Sequence, residues 1–341
     1  MRALVWEAPR RMAMREQAQP ELAGGEVLVK VIYAGICGSE LSGYLGHNAL
    51  RVPPLVMGHE FAGEIVALGP DARAHNAALY EGQQVTVNPL AYCGRCEYCQ
   101  RGLNQLCLSR QLIGAHRPGA YAEFVTAPAE NVLPLPGDLS PRLGALTEPV
   151  AVAVRIAELA GPVAGEDVFI AGAGPIGLLA LQTLQAKGTR RVFVSDLEPA
   201  RLSMVEALGG EPVDARNSDV VKSVRSATDG RGVPVSVEAV GAAITREHCL
   251  KATRTAGMVI LTGLHEETSA LHVSDVIRRE LTLRGSFSYS PQNFADALER
   301  LASGDIRLDP WIVVAPLAEG GIWFERLIDE PGAVAKVLLV P

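Results

Sequence analysis

Apolar positions change their spacing along this chain. Up to about residue 145 they alternate with polar ones in short runs broken by glycine, as in Glu26-Val-Leu-Val-Lys-Val-Ile and Gln83-Gln-Val-Thr-Val. A period of two belongs to half-buried strands, so this part predicts a β-rich domain. From about 150 to 285, short continuous apolar runs alternate with stretches of helical period. The runs at 168–171, 192–195, 235–238, 258–262 and 281–285 read as strands. Such strands with helices between them call for a parallel, doubly wound sheet, making the whole an α/β protein. A helical pattern at 293–303 and a strand at 335–340 follow. The stretch 71–81, rich in Ala and Asn, reads as a surface loop. There is no internal repeat or low-complexity tract.

Bulk properties narrow the function classes. A chain of 341 residues allows two domains, each with a full core. The net charge of −7 argues against nucleic acid or an anionic membrane as partner. The opening Met1-Arg-Ala-Leu-Val-Trp-Glu-Ala-Pro reads as a first strand and not a signal peptide, and no stretch approaches the ~20 apolar residues of a membrane helix. Four of the six cysteines fall at 93, 96, 99 and 107. Thiolates at two-residue spacing, closed by a fourth after a short loop, suit a structural zinc ion. Disulfides are the competing reading, but nothing points to secretion, and thiolate sites suit a reducing cytoplasm. Cys249, in a helical pattern, reads as packing.

A second, open donor set lies upstream and downstream of that lobe. Cys37 in Gly-Ile-Cys-Gly-Ser-Glu, His59 in Gly-His-Glu, and Glu60 or Glu148 offer three ligands, which leaves a zinc ion one position for water or substrate. Taken singly, Cys37 and His59 could be core residues, and Glu148 an acid in the first turn of a helix. Ser39, two residues past Cys37, is placed to pass on a hydroxyl proton. The glycine turn Gly172-Ala-Gly174-Pro175-Ile176-Gly177 follows the apolar run Val168-Phe-Ile and precedes a helical pattern. Backbone N–H groups at that helix start can hold a pyrophosphate. Asp196 ends the next strand about 20 residues on, where a ribose contact is required.

In this order the residues resemble the zinc-containing medium-chain dehydrogenase/reductase family, over essentially the whole chain. The likeness includes Gly58-His59-Glu60-Phe-Ala-Gly, the cysteine lobe, the glycine turn, and the late segments at 256–260 and 336–338. Glu148 is similar to the polyol and threonine dehydrogenase branch. The branch often has His where this chain has Ser42, and sorbitol-type members often have Arg where it has Ser288, between Phe287 and Tyr289. The resemblance implies a GroES-like catalytic domain over 1–148 carrying the lobe at about 90–110, a Rossmann domain over 149–287, and a return of 288–341 to the first domain. It implies two zinc ions per chain, NAD(H) lying between the domains, and a homotetramer, with a dimer as the other option. It also adds Arg201, Gly263, Leu264, Ser286 and Phe287 to the cofactor contacts.

The expected activity is hydride transfer between a secondary alcohol, a polyol or vicinal diol, and its ketone, with zinc acidifying the substrate hydroxyl. Threonine 3-dehydrogenase-like or general secondary alcohol activity stands beside it. A zinc-free NADPH-dependent quinone reductase has no use for Cys37 and His59, and a non-catalytic zinc-lobe binding module has no use for the nucleotide turn. Asp196 followed by Arg201 suggests NAD over NADP. His47 is expected to replace the missing histidine at 42 in the proton path from Ser39, since imidazole titrates near neutrality. Tyr44, Asn48 and Trp311 are further pocket candidates.

Overall fold

The computed structural model describes residues 1–341, which form two compact units: Met1–Ala151 with Ser290–Pro341, and Val152–Tyr289. In the first unit the long strand Glu26–Gly35 is the centre of a seven-stranded sheet. Glu60–Leu68 pairs on one side, Lys336–Val340 on the other, and Phe124–Pro128 along its first half, all antiparallel to it. Gln84–Val87 and Val132–Pro134 extend one flank, and Ile312–Pro316 the other. A smaller sheet orders Arg11–Glu16, Arg2–Ala8 and Leu55–Val56. Val27, Val29 and Val31 join Trp6, Phe61, Ile65 and Tyr121 in one core, as the alternation in sequence requires. Register does the functional work here. Gly35 stands opposite Glu60 on one side and Leu338 on the other, so three strand ends meet beside Cys37.

The second unit is a six-stranded parallel sheet in the order Glu211–Asp214, Arg191–Asp196, Asp167–Ala171, Val233–Glu238, Thr253–Leu261, Thr282–Gly285. The chain winds outward from Asp167–Ala171 in both directions, and the carboxyl end of that strand is where such sheets bind ligands. All five of its residues are buried, which explains its unbroken apolar run. The fold class is therefore the α/β architecture expected. Three details depart from the sequence analysis. The strand Glu211–Asp214 escaped notice because its Glu-Pro-Val-Asp has only one buried residue. Thr253–Leu261 starts earlier than 258, its register interrupted near Gly257 where Ala256 has a φ of 58°. The stretch 71–81 holds a short helix, Ala72–His75, anchored by buried Ala72. No helix is long and apolar enough to cross a membrane.

Asp167 opens the central strand and is buried. Arg190 Nε donates to its Oδ1 at 2.8 Å and Arg191 Nη2 to its Oδ2 at 2.7 Å. Burial raises its pKa, but the two guanidinium groups outweigh that and hold it down to about 2. A carboxyl lowered by folding adds stability above its unfolded pKa of about 3.9, and that stability is lost as pH falls towards the folded value. Arg190 is half exposed, so water screens part of the attraction. Asp167→Asn should therefore lose about 1–2 kcal/mol at pH 7. Urea unfolding should show the gap closing between about pH 5 and pH 2; a gap independent of pH would show that the charge contributes nothing.

Candidate active site

Cys37 follows the strand Glu26–Gly35 by two residues and opens the helix Gly38–Tyr44. The helix starts there because Glu40, three residues on, reaches back and accepts from the Cys37 N–H at 3.2 Å, one half of a capping box. His59 directly precedes the strand Glu60–Leu68. The strand register then brings Cys37 Sγ, a His59 ring nitrogen and a Glu60 carboxylate oxygen within 4.8 Å of one another. Glu40 is fully buried and binds more than its own cap. Oε1 lies 2.7 Å from His59 Nδ1 and accepts from the Gly58 N–H at 2.9 Å, while Oε2 accepts from the Tyr121 hydroxyl. A carboxylate only accepts, so Nδ1 carries a proton, and Nε2 is the nitrogen that would give up its own to ligate a metal ion. Burial pushes the Glu40 pKa up, but His59, Arg51 and Tyr121 bring it down to about 2. For His59 burial acts downward, and Glu40 with Cys37 raises it well above the ordinary value. Cys37, His59 and Glu60 thus form a donor set, with Glu40 behind the imidazole, that suits a bound cation.

Glu60 is equally buried but otherwise committed. Lys336 Nζ donates to both its oxygens, at 2.8 and 2.6 Å, and to the Ile36 carbonyl at 3.0 Å. Glu148 lies in the first turn of the helix Thr147–Leu159, buried, and near enough for its charge to raise the Lys336 pKa. Its carboxylate is not within the 4.8 Å group, so Glu60 is the acid gathered with Cys37 and His59. Ser39 is half buried, with its hydroxyl 3.5 Å from Cys37 Sγ. The histidine expected beside it is not there. His47 is exposed after the turn at Gly46, and its imidazole makes no hydrogen bond. Arg51 takes that place, with Nη1 3.2 Å from the Ser39 carbonyl and Nη2 3.3 Å from Oγ. Tyr44 also drops out of the pocket set. Its hydroxyl donates to Glu325 at 2.7 Å and its ring packs edge-on against Phe324.

In the lobe, Cys93, Cys96, Cys99 and Cys107 bring their sulfurs within 4.8 Å of one another, and none is in a disulfide. The pairs Cys96–Cys99 and Cys93–Cys107 are each 3.5 Å apart. Backbone N–H groups of Cys99 and Leu108 hold the Cys96 thiol down to about 6, whereas burial pushes Cys99 up to about 12. Four sulfurs this close could all be thiolates only with a cation between them, and the donors fit zinc.

The nucleotide residues lie in the second unit. Gly172 has a φ of 103°, and a Cβ there would come within 2.6 Å of Val240 Cγ2. A Cβ on Gly177 would run into the Gly172 carbonyl. Gly174 caps the helix Pro175–Gln185, whose first turn holds Pro175, Ile176 and Gly177 and leaves N–H groups free for an anion. Asp196 Oδ2 accepts from the Ala173 N–H at 2.8 Å and Oδ1 from the Glu198 N–H at 2.9 Å, which ties the strand end to the glycine turn. Arg201 Nη1 is 4.0 Å from Asp196. Gly263 packs against Gly241, Leu264 and Phe287 are exposed, and Ser286 Oγ is buried without a partner. These residues fit a dinucleotide.

Glu40, Lys336, Tyr121 and Arg51 had no role in the sequence analysis. The first two left a trace. Glu40 stands at the capping-box distance from Cys37, and Lys336 is a lone charge heading an apolar strand.

Residues 23–137 match the alcohol dehydrogenase GroES-like domain and residues 175–303 the zinc-binding dehydrogenase family. The chain belongs to the zinc-binding dehydrogenases. It is 36% identical over 299 residues to the L-threonine 3-dehydrogenase of Pyrococcus abyssi, covering 86% of this chain and 84% of that one. It is 33% identical over 335 residues to the D-arabitol-phosphate dehydrogenase of Enterococcus avium, covering 96% and 94%. Among solved structures, a zinc-binding dehydrogenase from Sinorhizobium meliloti 1021 bound to NADP superposes with a TM-score of 0.91 at 32% identity, over 100% of this chain and 99% of that one.

Proposed function

We propose that the protein interconverts a secondary alcohol bearing a neighbouring hydroxyl and the corresponding ketone, with NAD(H) as redox partner and two zinc ions of unequal role in each chain. The observation that carries this is the convergence of Cys37, His59 and Glu60, with His59 locked by Glu40, in a chain that also builds a complete nucleotide turn. Cys37 and His59 would hold the catalytic zinc, with Glu60 or Glu148 as third ligand, and Cys93, Cys96, Cys99 and Cys107 the structural one. The catalytic ion supplies Lewis acidity, which lowers the pKa of a bound hydroxyl. Glu40 keeps the imidazole in the tautomer that leaves Nε2 free. Lys336 neutralises Glu60, so that the buried centre does not carry every acid unpaired. Ser39 Oγ, beside Cys37, accepts the substrate proton and passes it outward. Gly172, Gly174, Gly177 and Asp196 would hold NAD(H), which would take up the hydride from the alcohol carbon as one proton is released and the ketone forms. A reducing cytoplasm suits the free thiols, and a homotetramer is the assembly we favour.

Absorbance at 340 nm with NAD⁺ and a panel of sugar alcohols, vicinal diols, simple alcohols and L-threonine tests the reading. The expected result is fastest turnover on a polyol or diol. Faster oxidation of ethanol or benzyl alcohol than of every diol would rule the substrate class out. L-threonine as best substrate would favour the second reading, supported by the likeness to the Pyrococcus abyssi enzyme.

NAD⁺ should be preferred over NADP⁺. The Asp196 carboxylate ends its strand where ribose hydroxyls can donate to it, and it would repel a 2′-phosphate. Arg201 at 4.0 Å pulls the other way, and the Sinorhizobium meliloti structure holds NADP. A kcat/KM advantage for NADP⁺ of about tenfold or more would reverse the assignment.

A further inference from the structure

Arg51 is 3% exposed, yet none of its nitrogens is in an ion pair. Its charge acts on the buried Glu40 carboxylate, but its own hydrogen bonds go elsewhere. Two of its nitrogens are committed to one residue, the Ser39 carbonyl at 3.2 Å and the Ser39 hydroxyl at 3.3 Å, and Nε has no partner. A second sacrifice serves the same contact. Gly43 lies inside the helix Gly38–Tyr44, where glycine is unfavourable. A Cβ at 43 would come within 2.7 Å of Arg51 Cδ, so the glycine makes room for the arginine stem. Both features converge on a serine hydroxyl 3.5 Å from Cys37 Sγ.

We propose that Arg51 is a positioning residue for Ser39, clamping its carbonyl and hydroxyl so that the second lone pair of Oγ faces the reacting alcohol. This rests on the alcohol dehydrogenase reading above. A guanidinium cannot accept a proton, so Arg51 does not extend the proton path. By donating to Oγ it occupies one lone pair and removes the rotamers in which the hydroxyl would turn away. Ser39 then needs no reorganisation when substrate arrives.

A double-mutant cycle tests this with purified wild type, Arg51→Met, Arg51→Lys, Gly43→Ala, Ser39→Ala and the Ser39→Ala/Arg51→Met double variant. Each is measured for kcat, KM, zinc content and Tm. Arg51→Met should lower kcat about 10- to 100-fold with KM little changed. Arg51→Lys, whose ammonium reaches one of the two oxygens, should fall between. Gly43→Ala should lower kcat by displacing the stem while leaving Tm unchanged or higher. In the Ser39→Ala background Arg51→Met should cause no further loss of kcat, while its Tm shift is the same in both backgrounds. An equal kcat loss in both backgrounds, or zinc content below wild type in Arg51→Met, overturns the proposal. If Arg51→Met does not fold, unchanged kcat in both Arg51→Lys and Gly43→Ala overturns it. A wild type inactive on every alcohol tested would instead remove the dehydrogenase reading on which it rests.

Discussion

Replacing Lys336 by methionine should destabilise the metal-stripped protein by about 3–5 kcal/mol, among the largest losses any single substitution in this chain can cause. The side chains of Lys336 and Glu60 are 2% and 1% exposed, and the ammonium contacts both carboxylate oxygens and the Ile36 carbonyl. Methionine fills the volume but leaves Glu60 charged or forced to take up a proton, and one carbonyl without its donor. Breaking a buried pair costs far more than replacing both partners, so Lys336→Met with Glu60→Gln should recover part of the loss. Guanidinium denaturation of the metal-free variants measures this without interference from zinc at the neighbouring ligands. A loss under about 1 kcal/mol for Lys336→Met would mean that water reaches Glu60.

Cys37→Ala or His59→Ala should abolish turnover and reduce zinc from two ions to one per chain; Cys37→Ala should leave Tm little altered, while His59→Ala should also lower it by taking the buried partner from Glu40. Cys99→Ala should do the reverse, leaving residual turnover in the folded fraction and removing at least about 3 kcal/mol of stability. The difference follows from the surroundings. Around His59 the strands are tied by the core of the first unit whether or not an ion is present. The lobe has little core of its own. Its elements are the four-residue helix Glu97–Gln100 and a three-residue turn, Asn104–Leu106, so the four sulfurs are its main crosslink. Plasma emission spectroscopy and thermal melts on the same preparations decide the matter. About one zinc per chain in wild type purified without chelator would contradict the two-ion assignment.

What the sequence disclosed depended on how close in the chain the cooperating residues lie. The four lobe cysteines and the glycine turn are compact patterns, and Cys37, His59 and Glu60 are anchored by short motifs. The partners that tune them are not compact. Tyr121 reaches Glu40 across 81 residues, and Lys336 reaches Glu60 across 276. No spacing rule spans such distances; only strand register brings Gly35, Glu60 and Leu338 side by side. The error at His47 has another cause. Histidine was expected because its chemistry suits proton transfer, but space decided. Gly43 opens a path for the stem of Arg51, whereas His47 follows the turn at Gly46 out to solvent.

The wide separation of Glu60 and Lys336 also sets an order of events during synthesis. All of Val152–Tyr289 lies between them in the chain and forms its own compact unit. That unit can fold as it leaves the ribosome, because its strands are contiguous in sequence. The first unit cannot close then, since Lys336–Val340 pairs directly with the central strand Glu26–Gly35. Until that strand arrives, Glu60 is without its internal ammonium. The half with the glycine turn is thus ready first, and the half with Cys37, His59 and Glu60 matures last, its buried Glu60 waiting for the ammonium that the final strand brings.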